Sequence, residues 1–456
     1  MKLTILGAAG VRTPLMIQSI LRRQERIGID ELVLMDIDGE RLELIGAITQ
    51  PLELSNEMRF RIQRTTDAAE ALKDADFVIA TFRVGGIESR RIDERVPLNY
   101  GVLGQETTGP GGFAMGMRTI PVLLKYIEQM RQLCPDAWMI DFANPAGMCT
   151  EALTRVGGWQ RSVGICDGPV EILRLAAAVL KAPMDEISLG YFGLNHLGWI
   201  RSVRYQGREY LGEIIALLRQ AGGVGGLNIA ADLITSLGMI PNEYLYYYYY
   251  RRQSVENILR AERSRGEQIA ALNLKLFEQL QRCRARSDFE GMRQAYFRYL
   301  EQRSSSYMQV ETGRAPVHGD LERLAAEIAE GEGYAGVALD LIEALVGYKP
   351  RQMLLNVPNR GAIHGMSDED VVEIPAFVHR NAVEPLAVGV VPDHCLGLMK
   401  QVKAYERLTV EAAVEGSYQK ALTALAIHPL VADYELAKRI LADYQREHGA
   451  WFPTLQ

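Results

Sequence analysis

The chain has 456 residues, 48% of them hydrophobic and 23% charged, with 50 Lys and Arg against 57 Asp and Glu for a net charge of -7. That acidic balance excludes a nucleic-acid surface, which needs a basic stripe, and no apolar run reaches the roughly 18 residues of a membrane helix. Five cysteines, odd in number and without C-x-x-C spacing, argue against a disulfide framework and for a reducing cytoplasm.

Lys2 to Leu6 is short and rich in strand formers. Gly7-Ala8-Ala9-Gly10 follows, then Val11-Arg12-Thr13-Pro14 and an apolar helical pattern through Leu21. Strand, small-residue turn and helix make the first half of a dinucleotide-binding unit. The small residues let the backbone approach a pyrophosphate, and the helix N-terminus offers N–H groups and a positive dipole end. The fingerprint is degenerate, since Ala9 and Arg12 stand where the second and third glycines belong. The strand Glu31–Asp36 ends in an acid at the expected distance. Asp36 would accept hydrogen bonds from the adenosine ribose, favouring NAD over NADP; it could equally cap the next turn. Because the strand begins directly after Met1, no secretory signal is expected.

A third strand is expected at Arg59–Gln63, a helix from Asp67 to Leu72 with Asp67 and Glu70 in its capping turn, and a fourth strand at Asp76–Phe82. That strand runs into Arg83-Val84-Gly85-Gly86, where a cofactor or anion would lie. Tyr100 to Gly112 holds five glycines and one proline, so no regular element is expected there. A long loop beside a cofactor is usually functional, and Glu106 is its acid. Ala137–Phe142 reads as a further strand, ending at Asn144-Pro145.

Beyond Pro169 the pattern turns helical: Val170–Leu180, Gly212–Gln220, Ser254–Arg284 and Glu322–Gly347, interrupted by a strand at Ile187–Phe192. Five tyrosines, Tyr246 to Tyr250, follow one another, and most are expected to pack with wet hydroxyls. Tyr244 stands apart after Pro241-Asn242-Glu243. Three groups draw attention as chemistry: the thiol of Cys166, the imidazole of His196 inside an apolar run, and the carboxamide of Asn144. Together they would suit one metal-bound substrate. Singly, each reads as easily as a core residue.

These blocks resemble glycoside hydrolase family 4, most of all its 6-phospho-β-glucosidase branch. The resemblance rests on Phe82-Arg83-Val84-Gly85-Gly86, Tyr100–Gly112, Asn144-Pro145-Ala146-Gly147, Gly164-Ile165-Cys166, Gly193-Leu194-Asn195-His196, Asn242-Glu243-Tyr244-Leu245 and Ala404–Thr409, and it spans the chain. It implies an α/β fold: a Rossmann-type NAD-binding domain at 1–165, then an α+β catalytic, metal-binding and oligomerisation domain at 166–456, of the lactate/malate-dehydrogenase-like type. It implies NAD and Mn²⁺ as cofactors, with Gly7, Ala8, Ala9, Gly10, Asp36 and Arg83 on the dinucleotide and Cys166 and His196 on the metal. It also implies Asn144 and Asn195 lining the sugar, Arg90 on the substrate, Tyr244 as base, and Glu106 as an acid assisting the leaving group; Arg12, which stands where the family has serines, is expected at the C6 end of the sugar or else at the cofactor pyrophosphate. A homodimer or homotetramer is expected, with a small-molecule glycoside or its 6-phosphate as partner, and neither nucleic acid nor membrane.

The implied chemistry oxidises C3 of the sugar, removes the C2 proton, expels the group at C1, adds water and returns the hydride. One departure bears on substrate: where 6-phosphate members carry a serine-rich first loop, this chain has Gly10-Val11-Arg12-Thr13-Pro14. A non-phosphorylated glycoside therefore stays open, as do a simple dehydrogenase of the lactate/malate type and a non-catalytic NAD-binding protein.

Overall fold

The computed structural model describes residues 1–54, 57–220, 229–313 and 334–456. Six short strands carry the N-terminal half: β1 (Lys2–Leu6), β2 (Glu31–Met35), β3 (Arg61–Thr65), β4 (Phe77–Ala80), β5 (Trp138–Asp141) and β6 (Ser162–Gly164). All their pairings are parallel, in the spatial order β3-β2-β1-β4-β5-β6. This is the doubly wound dinucleotide-binding order, with the ligand crevice where the winding reverses, between β1 and β4. Strands covered on both faces must be apolar throughout, and Leu3, Ile5, Leu32, Val33, Leu34, Val78, Ile79 and Ile140 are fully buried. Each such side chain contributes about 2 kcal/mol by leaving water.

The sheet continues past β6, which ends at the expected domain boundary. The remaining strands are β7 (Ile187–Leu194), β8 (Leu197–Tyr205), β9 (Arg208–Glu209), β10 (Ile240–Pro241), β11 (Arg351–Pro358), β12 (Val371–His379) and β13 (Ala382–Pro385). They pair antiparallel, and the full order runs β10-β8-β7-β12-β11-β6 into the parallel half. Two single pairings join the pieces: Asn356 of β11 with Gly164 of β6, and Glu373 of β12 with Gly193 of β7. These cross-connections bring β6 and the β7–β8 hairpin to one end of the sheet.

Helix expectations hold in part. The stretch predicted as one helix over Ser254–Arg284 is two, Arg251–Arg260 and Arg265–Ala285. Ser264 starts the second with a capping box: its side chain accepts from Glu267 N–H, and Glu267 reaches back to its own N–H. The stretch Tyr100–Gly112 is not irregular to its end, because Pro110, Gly111 and Gly112 open the helix Pro110–Leu133. Proline loses nothing at a first helical position, where its missing N–H has no partner to lose. The third strand lies two residues later than predicted. Of the helix expected over Glu322–Gly347, the first part lies outside the described residues, and Tyr334–Leu345 is helical.

A helical hairpin, Arg265–Ala285 and Phe289–Ser305, covers the first turn of the chain. Val11 packs in one apolar cluster with Leu276, Leu280, Tyr296 and Leu300, and the Tyr296 hydroxyl donates to the Val11 carbonyl at 2.8 Å. The hairpin is tied to the helix Gly86–Leu98 through Glu94, which accepts from Gly266 N–H at 2.6 Å, and through a two-point pair of Arg95 with Glu267.

Candidate active site

The dinucleotide turn forms as its residue types require. Gly7 adopts φ 91, and a Cβ there would lie 2.5 Å from the Phe82 backbone nitrogen, so only glycine fits. Asp36 braces the turn: its Oδ2 accepts from Ala9 N–H at 2.9 Å and its Oδ1 from Asp38 N–H at 3.1 Å. Four lone-pair sites on a carboxylate leave room for further donors. The leading N–H groups of the helix Thr13–Ile27 are used within the protein, Thr13 N–H donating to the Gly10 carbonyl at 3.1 Å and Leu15 N–H to the Tyr296 hydroxyl, so what the helix offers an anion is its positive dipole end. These residues fit a dinucleotide. A cavity of about 730 Å³ lies past Asp36, lined by Asp38, Arg41, Ile87, Leu274 and Phe277 among others.

Cys166 follows the end of β6, just before the helix Gly168–Leu180. Gly168 permits a crowded approach, for a Cβ there would lie 3.2 Å from Glu243 Oε1 and 3.8 Å from Cys166 Sγ. His196 occupies the two-residue turn between β7 and β8, in the left-handed conformation at φ 63. A non-glycine residue there costs about 1 kcal/mol and must be held by its surroundings. The turn delivers the imidazole to the thiol, with Cys166 Sγ 3.6 Å from His196 Nε2. Two donors at about 2.3 and 2.1 Å from one ion, at tetrahedral to octahedral angles, would be about 3.1–3.6 Å apart. The pair therefore fits a divalent cation.

Burial pushes the Cys166 thiol well up, reinforced by the carboxylates of Glu373 and Asp167. Burial holds the His196 imidazole down at about 4, so it stays neutral at ordinary pH and open to a metal. Among the described residues no group of three or more His, Cys, Asp or Glu side chains is arranged to hold an ion.

Tyr244 sits in the single helical turn Glu243–Leu245. Its ring stacks on His196 with centroids 4.0 Å apart, and its hydroxyl accepts from Tyr307 at 3.2 Å. Burial, and next Tyr307, push its phenol well up. Arg12 points to this end of the chain, its Nη1 3.4 Å from Asp167 Oδ2. Asn144, half-buried, follows β5 on the same side. Both ends of the Asn195 amide are taken by the protein: Oδ1 accepts from Gly147 N–H at 3.4 Å and Nδ2 donates to Glu373 at 3.1 Å.

Glu106 lies between two guanidinium groups. Its Oε2 is 2.5 Å from Arg83 and 2.8 Å from Arg90. Burial alone would raise its carboxyl, but Arg90 and Arg83 overcome this and hold it at about 2. This setting favours its carboxylate form. Arg90 is shared further, its Nε donating to Glu94 at 2.8 Å. The tyrosine run packs, with Tyr246 and Tyr247 buried, but the expected wet hydroxyls are in part protein-bonded: that of Tyr249 accepts from Trp199 and that of Tyr250 from Ala230 N–H.

Sequence reading gave no role to Asp167, Tyr307, Asn356 or Glu373. Asp167 adjoins Cys166 and was open to notice. The others arrive from distant segments and carry no local signal.

A parallel dinucleotide sheet with a thiol–imidazole pair and a tyrosine gathered at one end defines an enzyme of the dinucleotide-fold class. Residues 2–182 match the model of the family 4 glycosyl hydrolases, and residues 191–431 match that of the family 4 glycosyl hydrolase C-terminal domain. The chain is 32% identical to a "Probable 6-phospho-beta-glucosidase" of Bacillus subtilis (strain 168), covering 99% of this chain and 97% of that one. It is 31% identical to the phospho-alpha-glucosidase PagL of Clostridium acetobutylicum, covering 98% of each. The solved 6-phospho-beta glucosidase of Thermotoga maritima with NAD and glucose-6-phosphate superposes with a TM-score of 0.84 at 28% identity over all of both chains. A 6-phospho-alpha-glucosidase from gut microorganisms, solved with NAD and Mn²⁺, gives 0.83 at 29% identity over 100% of this chain and 99% of that one. The chain belongs to glycoside hydrolase family 4 and is a glycosidase, which sets aside the simple dehydrogenase and the non-catalytic sensor.

Proposed function

We propose that this enzyme hydrolyses glycoside 6-phosphates, 6-phospho-β-glucosides first among them, with NAD⁺ and Mn²⁺ as cofactors. The observation that carries the reading is the convergence of Cys166, His196 and Tyr244 at one end of a dinucleotide-binding sheet. When bound, NAD⁺ supplies oxidation at C3 of the sugar and its later reversal, and the cation supplies positive charge that acidifies the neighbouring C2 hydrogen.

The chain's own groups do the rest. Gly7, Ala8, Ala9 and Gly10 admit the pyrophosphate, and Asp36 orients the adenosine ribose. Cys166 and His196 would hold the cation, and a site with two protein ligands would leave room for the substrate, as a catalytic site requires. Asn144 borders the sugar. Tyr244 takes the C2 proton; its phenol is protonated in the protein alone, so this role depends on positive charge beside it. Loss of that proton would expel the group at C1, which leaves as its alcohol with a proton from solvent; water would then add its hydroxyl at C1 and a proton at C2, and the hydride taken from C3 would be returned to it. Arg265 and Arg303 lie near the Arg90–Glu106 pair, and Arg12 lies near Arg303; this group of guanidiniums is our candidate for the 6-phosphate end.

We further propose a cytoplasmic homodimer or homotetramer, supported by five unpaired cysteines and by exposed Leu259 and Leu274 on the helices Arg251–Arg260 and Arg265–Ala285. No helix among the described residues is long and apolar enough to cross a membrane. A panel of aryl α- and β-glycosides, each with and without a 6-phosphate, assayed with NAD⁺, Mn²⁺ and thiol, tests the reading. Turnover confined to phosphorylated β-glucosides supports it. Turnover of plain glycosides alone removes the phosphate.

A further inference from the structure

We infer that Glu373 is the positioning residue of the metal pair, holding the segments that carry Cys166, His196 and Tyr244 in register. The inference rests on the reading of Cys166 and His196 as metal ligands.

Glu373 lies on β12, paired with Gly193 of β7, and is 1% exposed. Three side chains donate to it. The Tyr191 hydroxyl reaches Oε2 at 2.8 Å, while Asn195 Nδ2 and Asn356 Nδ2 each reach Oε1 at 3.1 Å. Each donor leads to a different part of the site. Asn195 is the residue before His196 in the hairpin turn, and its Oδ1 accepts from the N–H of Gly147, in the first turn of the helix Ala146–Glu151 that follows Asn144. Asn356 pairs with Gly164, two residues before Cys166. Tyr191 accepts from Asn242 Nδ2 at 3.2 Å, and Asn242 Oδ1 accepts from Leu245 N–H at 3.2 Å, closing the turn that presents Tyr244.

One carboxylate thus ties together the strand leading to the thiol, the turn bearing the imidazole and the turn bearing the phenol. A carboxylate suits this arrangement, because it accepts all three donors at its two oxygens. Glutamine could keep an oxygen for the two amides but would turn an N–H₂ on the Tyr191 hydroxyl, which already accepts from Asn242 and would lose its own acceptor. The left-handed His196 adds to the need, because a turn in a sparsely populated conformation keeps its shape only when its surroundings over-determine it. Groups that orient metal ligands without touching the ion typically change metal affinity 10–100-fold when removed.

The test compares Glu373→Gln and Cys166→Ser with the unmodified enzyme. Mn²⁺ binding is read by electron paramagnetic resonance, Co²⁺ binding by its thiolate charge-transfer absorption, and NAD⁺ binding by protein fluorescence. The expected result for Glu373→Gln is Mn²⁺ affinity lowered about 10–100-fold, a shifted or weakened Co²⁺ band, and NAD⁺ affinity within about twofold, since the dinucleotide turn is remote from Glu373. A merely structural role would lower melting temperature and leave the Co²⁺ band alone. Folded, NAD⁺-binding Glu373→Gln with unchanged Mn²⁺ affinity and Co²⁺ spectrum overturns the inference. If Cys166→Ser also binds Mn²⁺ as the unmodified enzyme does, the metal-pair reading itself fails; if only Cys166→Ser loses the ion, the role of Glu373 alone falls. Should Glu373→Gln not fold, Asn195→Ala cuts the link to the His196 turn at a half-buried position. Mn²⁺ affinity about tenfold lower supports the inference, and unchanged affinity overturns it.

Discussion

Cys166 Sγ and His196 Nε2 lie 3.6 Å apart although 30 residues separate them in the chain. One comes from the end of the last parallel strand and the other from the first antiparallel hairpin, so the pair exists only because the sheet is continuous across the two halves. Cys166→Ser should lose Mn²⁺ binding and nearly all activity while NAD⁺ still binds. The ligand must be a reduced thiolate, so air should inactivate the enzyme, and thiol with Mn²⁺ should restore it. Activity assays before and after reduction, with NAD⁺ titrations alongside, check this.

Asp36 braces the dinucleotide turn through Ala9 N–H, and its charge repels a 2′-phosphate. The unmodified enzyme should prefer NAD⁺ to NADP⁺, and Asp36→Ala should narrow the preference by weakening NAD⁺. Fluorescence titration with both nucleotides measures it, and equal affinities in the unmodified enzyme would contradict it.

Glu106 is held at about 2 by Arg90 and Arg83 against its burial. A folded-state value below the unfolded one of about 4.3 means that its contribution is present above that value and is lost as pH falls toward 2. Glu106→Gln should lower stability on the order of 2 kcal/mol near neutrality, and the difference should vanish toward pH 2. Thermal melts of both proteins from pH 7 to pH 2.5 show whether the curves converge.

Arg12 meets Asp167, the residue after Cys166. If it faces the C6 end of the sugar, Arg12→Ala should lower kcat/KM for 6-phosphorylated substrates about tenfold or more and spare plain glycosides. A uniform loss on both, with weaker NAD⁺ binding, would assign it to the pyrophosphate instead.

What could be read from the chain alone follows a physical divide. β1, β2 and the Asp36 strand end were legible because buried parallel strands are unbroken apolar runs with a glycine turn between. Cys166, His196 and Tyr244 were legible as reactive types in apolar surroundings, given shape by the family resemblance. Glu373 was not, because its partners Tyr191, Asn195 and Asn356 are assembled by long-range sheet pairing that no local pattern encodes. The setting of Glu106 was not legible either, because its ionisation is decided by two arginines, one 23 and one 16 residues away along the chain. The helix break at Ser264 was in the sequence, as a Ser-x-x-Glu capping box, and was passed over for the longer helical period around it.

The central claim is that Tyr244 removes a proton from C2 of an oxidised sugar at the Cys166–His196 centre. Hydrolysis in deuterated water, with NMR of the released sugar, tests it most directly. Deuterium at C2 of the product, formed only with NAD⁺ present and without net NADH, is the result predicted. A product with no solvent hydrogen at C2, formed at the same rate without NAD⁺, would contradict it and return the reaction to ordinary acid–base hydrolysis.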